Sequence, residues 1–327
     1  MPKSWIIIAV AALILLSGCA SQATEMQETA LPTVRITMGY RPDIQFAPLY
    51  VSRELGYFEE AGFDVVFEHM AETEAAQLVG AGEIPFAIVS GEQVLLAREQ
   101  GIPIVYVLAW WQDYPVGIAT SVDSGIEAPS DLAGRRVGIP GLYGASYIGF
   151  EAIMRSAGIP SDSVQLEAIG YSQVEALYQG QEDAVVIYTN NEPVQLRALG
   201  MDVAVLRVSD FVHLMGNGLI ISEETLQSEP EMVQRMVSAF IRGVEATLND
   251  PQMAYDISTL YVEGLADADI SVQQSILAES LPFWRGDPVG YSDPAAWENM
   301  QAVLLSMGYL QSEQDLSAAF TNRFILE

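Results

Sequence analysis

Residues 78–94 and 177–194 follow the same plan. Each reads helix end, glycine turn, short apolar strand and a polar tip carrying a glutamate. Each is followed by a helix, a glycine and a further strand, at 101–105 and 200–204. Strands that alternate with helices build parallel sheets joined by crossover helices. Two copies of such a unit in one chain predict two lobes of similar architecture. In open parallel sheets, ligands bind beyond the carboxyl ends of the strands. The tips Ser90, Gly91, Glu92 and Gln93 in one copy, and Thr189, Asn190, Asn191 and Glu192 in the other, are therefore the first candidates for a site.

The remaining pattern agrees. Residues 34–38 alternate apolar and polar and predict a first strand, 47–55 have helical spacing closed by Gly56, and 63–67 predict a second strand. Residues 230–308 are mainly helical, and 232–247 form the clearest amphipathic run. Residues 128–141 predict a short capped helix, a turn and a strand. The strand ends in a glycine-rich loop, 141–147, that opens the next helix. Backbone N–H groups at such a helix start can hold an oxygen or an anion. No Gly-Lys-Ser/Thr follows, so the loop is not a P-loop.

The first residues determine where the chain works. Lys3 precedes an unbroken apolar run, 6–16, and then Leu16, Ser17, Gly18 and Cys19. Charge, apolar core and small residues in this order are the layout of a secretory signal. Eleven apolar residues are too few to cross about 30 Å of hydrocarbon, which takes about 20. The small triplet before Cys19 resembles a bacterial lipoprotein signal, which implies cleavage after residue 18 and acyl chains on Cys19. Residues 19–33 then read as a tether, and the protein is expected on the extracytoplasmic face of the cell membrane. Cys19 is the sole cysteine, so neither an internal disulfide nor a thiol site is possible after lipidation. Net charge is −29, with 14 basic against 43 acidic residues. Such a surface repels nucleic acid and anionic head groups.

Residues 39–50, 54–58 and 131–138, in that order, resemble the two-lobed solute-binding proteins of ABC importers. The resembling branch binds thiamine-pyrimidine precursors and related heterocycles. Gly39, Tyr40, Gln45, Phe46, Ala47 and Pro48, the Trp110–Trp111 pair and residues 188–192 look nearer to its riboflavin binders than to its formylaminopyrimidine binders. The resemblance implies an α/β, type II periplasmic-binding-protein fold with its cleft between the lobes. It also implies a membrane permease as partner and riboflavin as the transported ligand, with no cofactor. A pyrimidine precursor stands as the alternative. The expected lobes are 34–117 with 219–327, and 118–218, joined by strands crossing near 116–119 and 217–221.

A flat heterocycle needs flat walls and edge-matching polar groups. Tyr40, Phe46, Tyr50, Trp110, Trp111, Tyr143, Tyr147 and Tyr188 sit at predicted strand ends and loops. Stacking contributes about 0.5–1.5 kcal/mol per ring pair beyond area burial. Adjacent strand residues point to opposite faces, so one of Trp110 and Trp111 is expected in the core and the other in the cleft. Asn190, Asn191 and Glu192 from one lobe, with Gln45, Ser90 and Glu92 from the other, offer donors and acceptors. In the pyrimidine-binding relatives a glutamate at this tip pairs with the ring, and Glu192 matches it. Beside Pro193 it also suits a helix N-terminus. Some fungal relatives make the thiamine pyrimidine with iron, a histidine and a cysteine-rich motif. This chain has two histidines, His69 and His213, neither with a partner at ligand spacing, so binding without catalysis is expected.

Overall fold

The computed structural model describes residues 30–326. The signal segment 1–18, the lipidation site Cys19 and most of the tether lie outside them. The tether was expected to run to residue 33, but Thr33 already opens the first strand. Among the described residues no helix is long and apolar enough to cross a membrane.

The described residues form ten strands: β1 (Thr33–Met38), β2 (Asp64–His69), β3 (Phe86–Ser90), β4 (Ile104–Ala109), β5 (Val116–Ser121), β6 (Arg136–Ile139), β7 (Gln165–Ala168), β8 (Ala184–Tyr188), β9 (Val203–Arg207) and β10 (Asn217–Ser222). They build two five-stranded sheets, ordered β2-β1-β3-β10-β4 and β7-β6-β8-β5-β9. The orders are identical when β6 to β9 are read as β1 to β4, and β5 as β10. The duplication seen in the sequence is thus a duplication of topology, and the architecture is the expected two-lobed α/β fold.

The sheets are mixed, where the alternation predicted parallel ones. β1 pairs in parallel with β2 and β3, and β6 with β7 and β8. β10 runs antiparallel between β3 and β4, and β5 between β8 and β9. Each is the first strand laid down after the chain changes sheet, so it enters from the opposite end. The strands near 116–119 and 217–221 therefore do not cross between lobes. Each is hydrogen-bonded on both edges within one sheet, and lobe limits at 117/118 and 218/219 would cut them. The passages are 110–115 and the segment before Asn217.

Burial follows from helices on both faces. Every residue of β3, β4 and β10 is buried, which is why these strands read as apolar runs with polar residues only at their ends. The amphipathic run forms the helix Pro230–Asn249, burying Val233, Met236, Val237, Phe240 and Val244. It crosses the helix Ala47–Glu54 closely enough that Ser52 Oγ donates to the Ala239 carbonyl at 2.7 Å. At Gly243 a Cβ would stand 2.3 Å from the Pro48 carbonyl oxygen, so the crossing requires glycine. Gly243→Ala is expected to force the helices apart and cost about 1–3 kcal/mol. Urea unfolding would check this, and unchanged stability would contradict so close a crossing.

Candidate functional site

The carboxyl ends of six parallel strands meet across one cavity of about 250 Å³. From the first sheet, β1 runs on to Gly39 and Tyr40, β2 to Ala71, Glu72 and Thr73, and β3 to Gln93. From the second, β6 runs on to Gly141, Tyr143 and Gly144, β7 to Tyr171 and Gln173, and β8 to Asn191 and Glu192. Gln45, Phe46, Trp110, Trp111, Tyr188 and Asn217 complete the wall. The site draws on three strand ends per lobe, not on one tip in each.

Nine of the expected residues border this cavity: Tyr40, Gln45, Phe46, Trp110, Trp111, Tyr143, Tyr188, Asn191 and Glu192. Five do not. Tyr50 is core, stacked on Tyr261 with centroids 4.4 Å apart and planes 4° from parallel. Ser90 and Glu92 are fully buried because Glu72 closes the wall in front of them. Tyr147 lines a neighbouring cavity of about 300 Å³ that shares Thr73, Gln93, Tyr143 and Gly144 with the first. Asn190 is wholly buried and ties the lobes together. Its amide donates to Gln45 Oε1 and to Ser280 Oγ, each at 2.8 Å.

The tryptophan pair departs from expectation. Residues 110–111 form a bend after β4, so strand alternation does not apply. Both backbone N–H groups donate to the Asn217 carbonyl, at 3.1 and 2.8 Å. Both rings consequently border the cavity while only 3% and 2% exposed. Trp110 lies near-parallel to Phe46 at 5.4 Å and to Trp284 at 6.0 Å. Trp111 packs on Phe283 at 5.0 Å and meets Tyr188 edge-on at 6.2 Å. The pair is the rigid back of the site. The exposed rings are Tyr143 and Tyr171. Tyr171 meets Tyr40 edge-to-face at 5.0 Å across the cleft.

Tyr40 has a φ of 63°, a left-handed conformation rare for a bulky residue and often retained where function requires it. Its carbonyl lies 3.2 Å from His69 Nδ1. Burial lowers the His69 pKa, favouring a neutral ring. Gly39 must stay small, since a Cβ there would lie 2.7 Å from Glu72 Cγ. Glu72 accepts from the Ser90 backbone N–H at 2.9 Å and from Asn217 Nδ2 at 3.0 Å. Glu192 Oε2 accepts from the Tyr188 N–H at 2.9 Å. Burial pushes the Glu192 carboxyl up to about 7 and also raises Glu72. Among the described residues, no lysine, arginine or histidine lines the cavity. Arg41, outside it, lies over the Tyr40 ring at 5.3 Å.

Glu72, Thr73, Tyr171 and Gln173 escaped the sequence reading. All four follow the carboxyl ends of β2 and β7, so the strand-end rule already applied to the two tips would have found them. Among the described residues no group of three His, Cys, Asp or Glu is placed to hold a metal ion.

Asn190→Ala would leave Gln45 Oε1 and Ser280 Oγ buried without this donor. A lost buried partner costs about 1–3 kcal/mol, here charged to the contact between lobes. Amides of the helix Glu192–Ala198 should then exchange roughly tenfold faster with deuterium. Unchanged exchange would show that Asn190 does not hold the lobes.

A family model described as NMT1/THI5 like matches residues 43–254. The chain is 34% identical to the riboflavin-binding protein RibY of Chloroflexus aurantiacus, over 94% of this chain and 89% of the relative. It is 27% identical to the formylaminopyrimidine-binding protein of Halalkalibacterium halodurans, over 98% and 99% of the two chains. It is 24% identical to a 4-amino-5-hydroxymethyl-2-methylpyrimidine phosphate synthase of Legionella pneumophila, over 89% and 92%. Among solved structures, the periplasmic aliphatic sulphonate binding protein SsuA of Escherichia coli superposes with a TM-score of 0.71 at 15% identity. The match covers 88% of this chain and 97% of that one, and bears on the fold alone.

Proposed function

From the premise that this chain belongs to the NMT1/THI5-like family, we propose that it is the solute-binding lipoprotein of an ABC importer. It captures riboflavin outside the cell, held to the membrane through Cys19, and hands it to a permease. The observation that carries the ligand is the lining of the cavity: aromatic rings, amides and two glutamates, with no cationic side chain. Riboflavin is a flat tricycle whose edge alternates carbonyl, N–H and ring nitrogen, with an uncharged hydroxylated tail. Tyr40, Tyr143, Tyr171 and Tyr188 supply rings, and Asn191 and Glu192 supply edge partners. The adjoining cavity, entered past Tyr143 and Gly144, suits the tail. An anion such as a sulfonate finds no counter-charge in this lining.

No bond is made or broken in this function. The ligand contacts both lobes at once, so its binding free energy favours the closed arrangement over the open one. The passages 110–115 and the segment before Asn217 act as the hinge. Trp111 and Asn217, which border the ligand, lie on or beside these passages.

Riboflavin fluorescence reports the outcome directly. Titration is expected to quench it saturably at one ligand per chain, with a Kd near or below about 1 μM, or roughly −8 kcal/mol. Glu192→Ala should weaken binding at least about tenfold by removing a buried hydrogen-bond partner of the ligand edge. Unquenched riboflavin, together with thermal stabilisation by formylaminopyrimidine, would move the assignment to the pyrimidine ligand. Turnover of either compound would overturn a purely binding role.

A further inference from the structure

Ser90 lies between two carboxyl groups. Its hydroxyl is 2.7 Å from Glu72 Oε2 and also contacts Glu92 Oε1. The Tyr114 hydroxyl lies 3.3 Å from Glu92 Oε2 and 3.0 Å from the Ala145 carbonyl oxygen. The two hydroxyls carry one proton each and make four contacts. Ionised carboxylates and backbone carbonyls only accept. With both glutamates charged, two of the four contacts would be oxygen against oxygen with no hydrogen between them. A proton on one carboxyl leaves only one such contact, which the longest of the four, Tyr114 to Glu92 at 3.3 Å, accommodates best.

The surroundings decide which carboxyl carries it. Glu72 already accepts two N–H bonds, from Ser90 and Asn217. Both glutamates lie in the first turn of a helix, Glu72–Gly80 and Gly91–Glu99, so the helix dipole favours an anion at each and the N–H bonds to Glu72 separate them. Glu92 is fully buried, behind Glu72 and away from the cavity.

We propose that Glu92 is held as the carboxylic acid and donates to Ser90, and that Ser90 donates in turn to Glu72. Glu72 thereby stands at the cavity wall as an ionised acceptor for an N–H or O–H group of the ligand. Resting on the reading of the cleft as a ligand site, this makes Glu72 a specificity-determining residue and Glu92 a positioning residue behind it. The same proton reaches the hinge. While Glu92 is an acid, the one Tyr114 proton is free for Ala145, at the start of the second-lobe helix Gly144–Ser156. An ionised Glu92 would draw that proton to itself and set a second negative charge against Glu72.

The titratable groups facing Glu92 are Glu72, Tyr106, Tyr114 and Tyr188. Burial raises all three tyrosines well above their usual value, so below strongly alkaline pH only the two glutamates change charge. Burial, with the neighbouring Glu72, pushes the Glu92 carboxyl up to about 7.

Two measurements on the full chain test this. The infrared difference spectrum of wild type minus Glu92→Gln, ligand-free at about pH 6, is expected to show the C=O band of a protonated, deuterium-sensitive carboxyl. In Glu72→Gln that band persists. Riboflavin affinity in wild type is expected to fall at least about fivefold between about pH 6 and pH 9, and to fall less in Glu92→Gln, where Glu192 still titrates near 7. Glu72→Gln should weaken it about tenfold already at the lower pH. A band unaffected by Glu92→Gln, an unaltered pH slope in that variant, or full affinity in Glu72→Gln would each overturn the proposal. Should Glu92→Gln not fold, Ser90→Ala removes only the bridging hydroxyl, and the band must then shift. Failure of riboflavin to bind any variant overturns the function proposed above, and the infrared result then decides the proposal by itself.

Discussion

Trp110→Ala is expected to lower the free energy of unfolding by about 3–5 kcal/mol, the usual cost of deleting a buried tryptophan. The ring is 3% exposed and packs near-parallel to Phe46 and Trp284. It also meets Trp111 edge-on at 5.6 Å and Phe240 at 6.2 Å. Removing it empties the centre of an aromatic block that joins the cavity wall to the helix Ile270–Trp284. Denaturant unfolding followed by far-ultraviolet circular dichroism measures the loss. A change under about 1 kcal/mol would show that the block collapses to fill the space. Tyr143→Ala is the contrasting case. That side chain is 74% exposed, so stability should stay within about 0.5 kcal/mol while riboflavin affinity falls. Trp111→Ala is expected to cost stability as well as affinity, because Phe283 and Trp284 pack on it.

Stability is expected to fall as pH rises from about 5 to 8. Burial pushes the Glu92 carboxyl up to about 7 in the fold, against an ordinary glutamate value of 4.5. Between those values the folded chain holds a proton that the unfolded chain has released. The linkage slope is therefore negative there, and flat above the folded pKa. At 1.36 kcal/mol per pKa unit, this amounts to about 3 kcal/mol for Glu92 alone. Glu192, raised by burial to about 7, acts in the same direction. Asp131, Asp269 and Asp315 act in the opposite sense. Hydrogen bonds from nearby backbone N–H groups or serine hydroxyls hold their pKa values down. Their contribution is lost as pH falls below the usual carboxylate range, so maximum stability should lie near about pH 5. Urea unfolding at the two pH values measures the slope, and Glu92→Gln should remove much of it. Stability that rose between pH 5 and 8 would contradict a protonated Glu92.

The pattern of residues made the strands and their carboxyl ends legible. β1, β3, β6 and β8 appear where apolar alternation or apolar runs stand between glycines. Of the two tips, Gln93 from one and Asn191 and Glu192 from the other border the cavity. The antiparallel insertion of β5 and β10 was not legible, because strand direction depends on where the chain re-enters a sheet, and local sequence does not encode that. Trp110 and Trp111 were misread for a related reason. The two-residue alternation holds inside a strand, and whether the strand has ended is decided by a partner, here the Asn217 carbonyl.

Residue chemistry by itself determined the kind of wall available: rings, amides and carboxyls without cations, at strand ends that any such sheet aims at its ligand. Folding decided which of those side chains look inward. Within one tip, Asn191 and Glu192 border the cavity, while Asn190 is buried as a tie between lobes. At the other tip, Glu72 borders the cavity, while Ser90 and Glu92 are buried, joined through the Ser90 hydroxyl. Side-chain direction at a strand end is set by bends and caps of a residue or two, and protonation by what lies within about 3 Å. Both belong to tertiary neighbours separated by tens of residues in the chain.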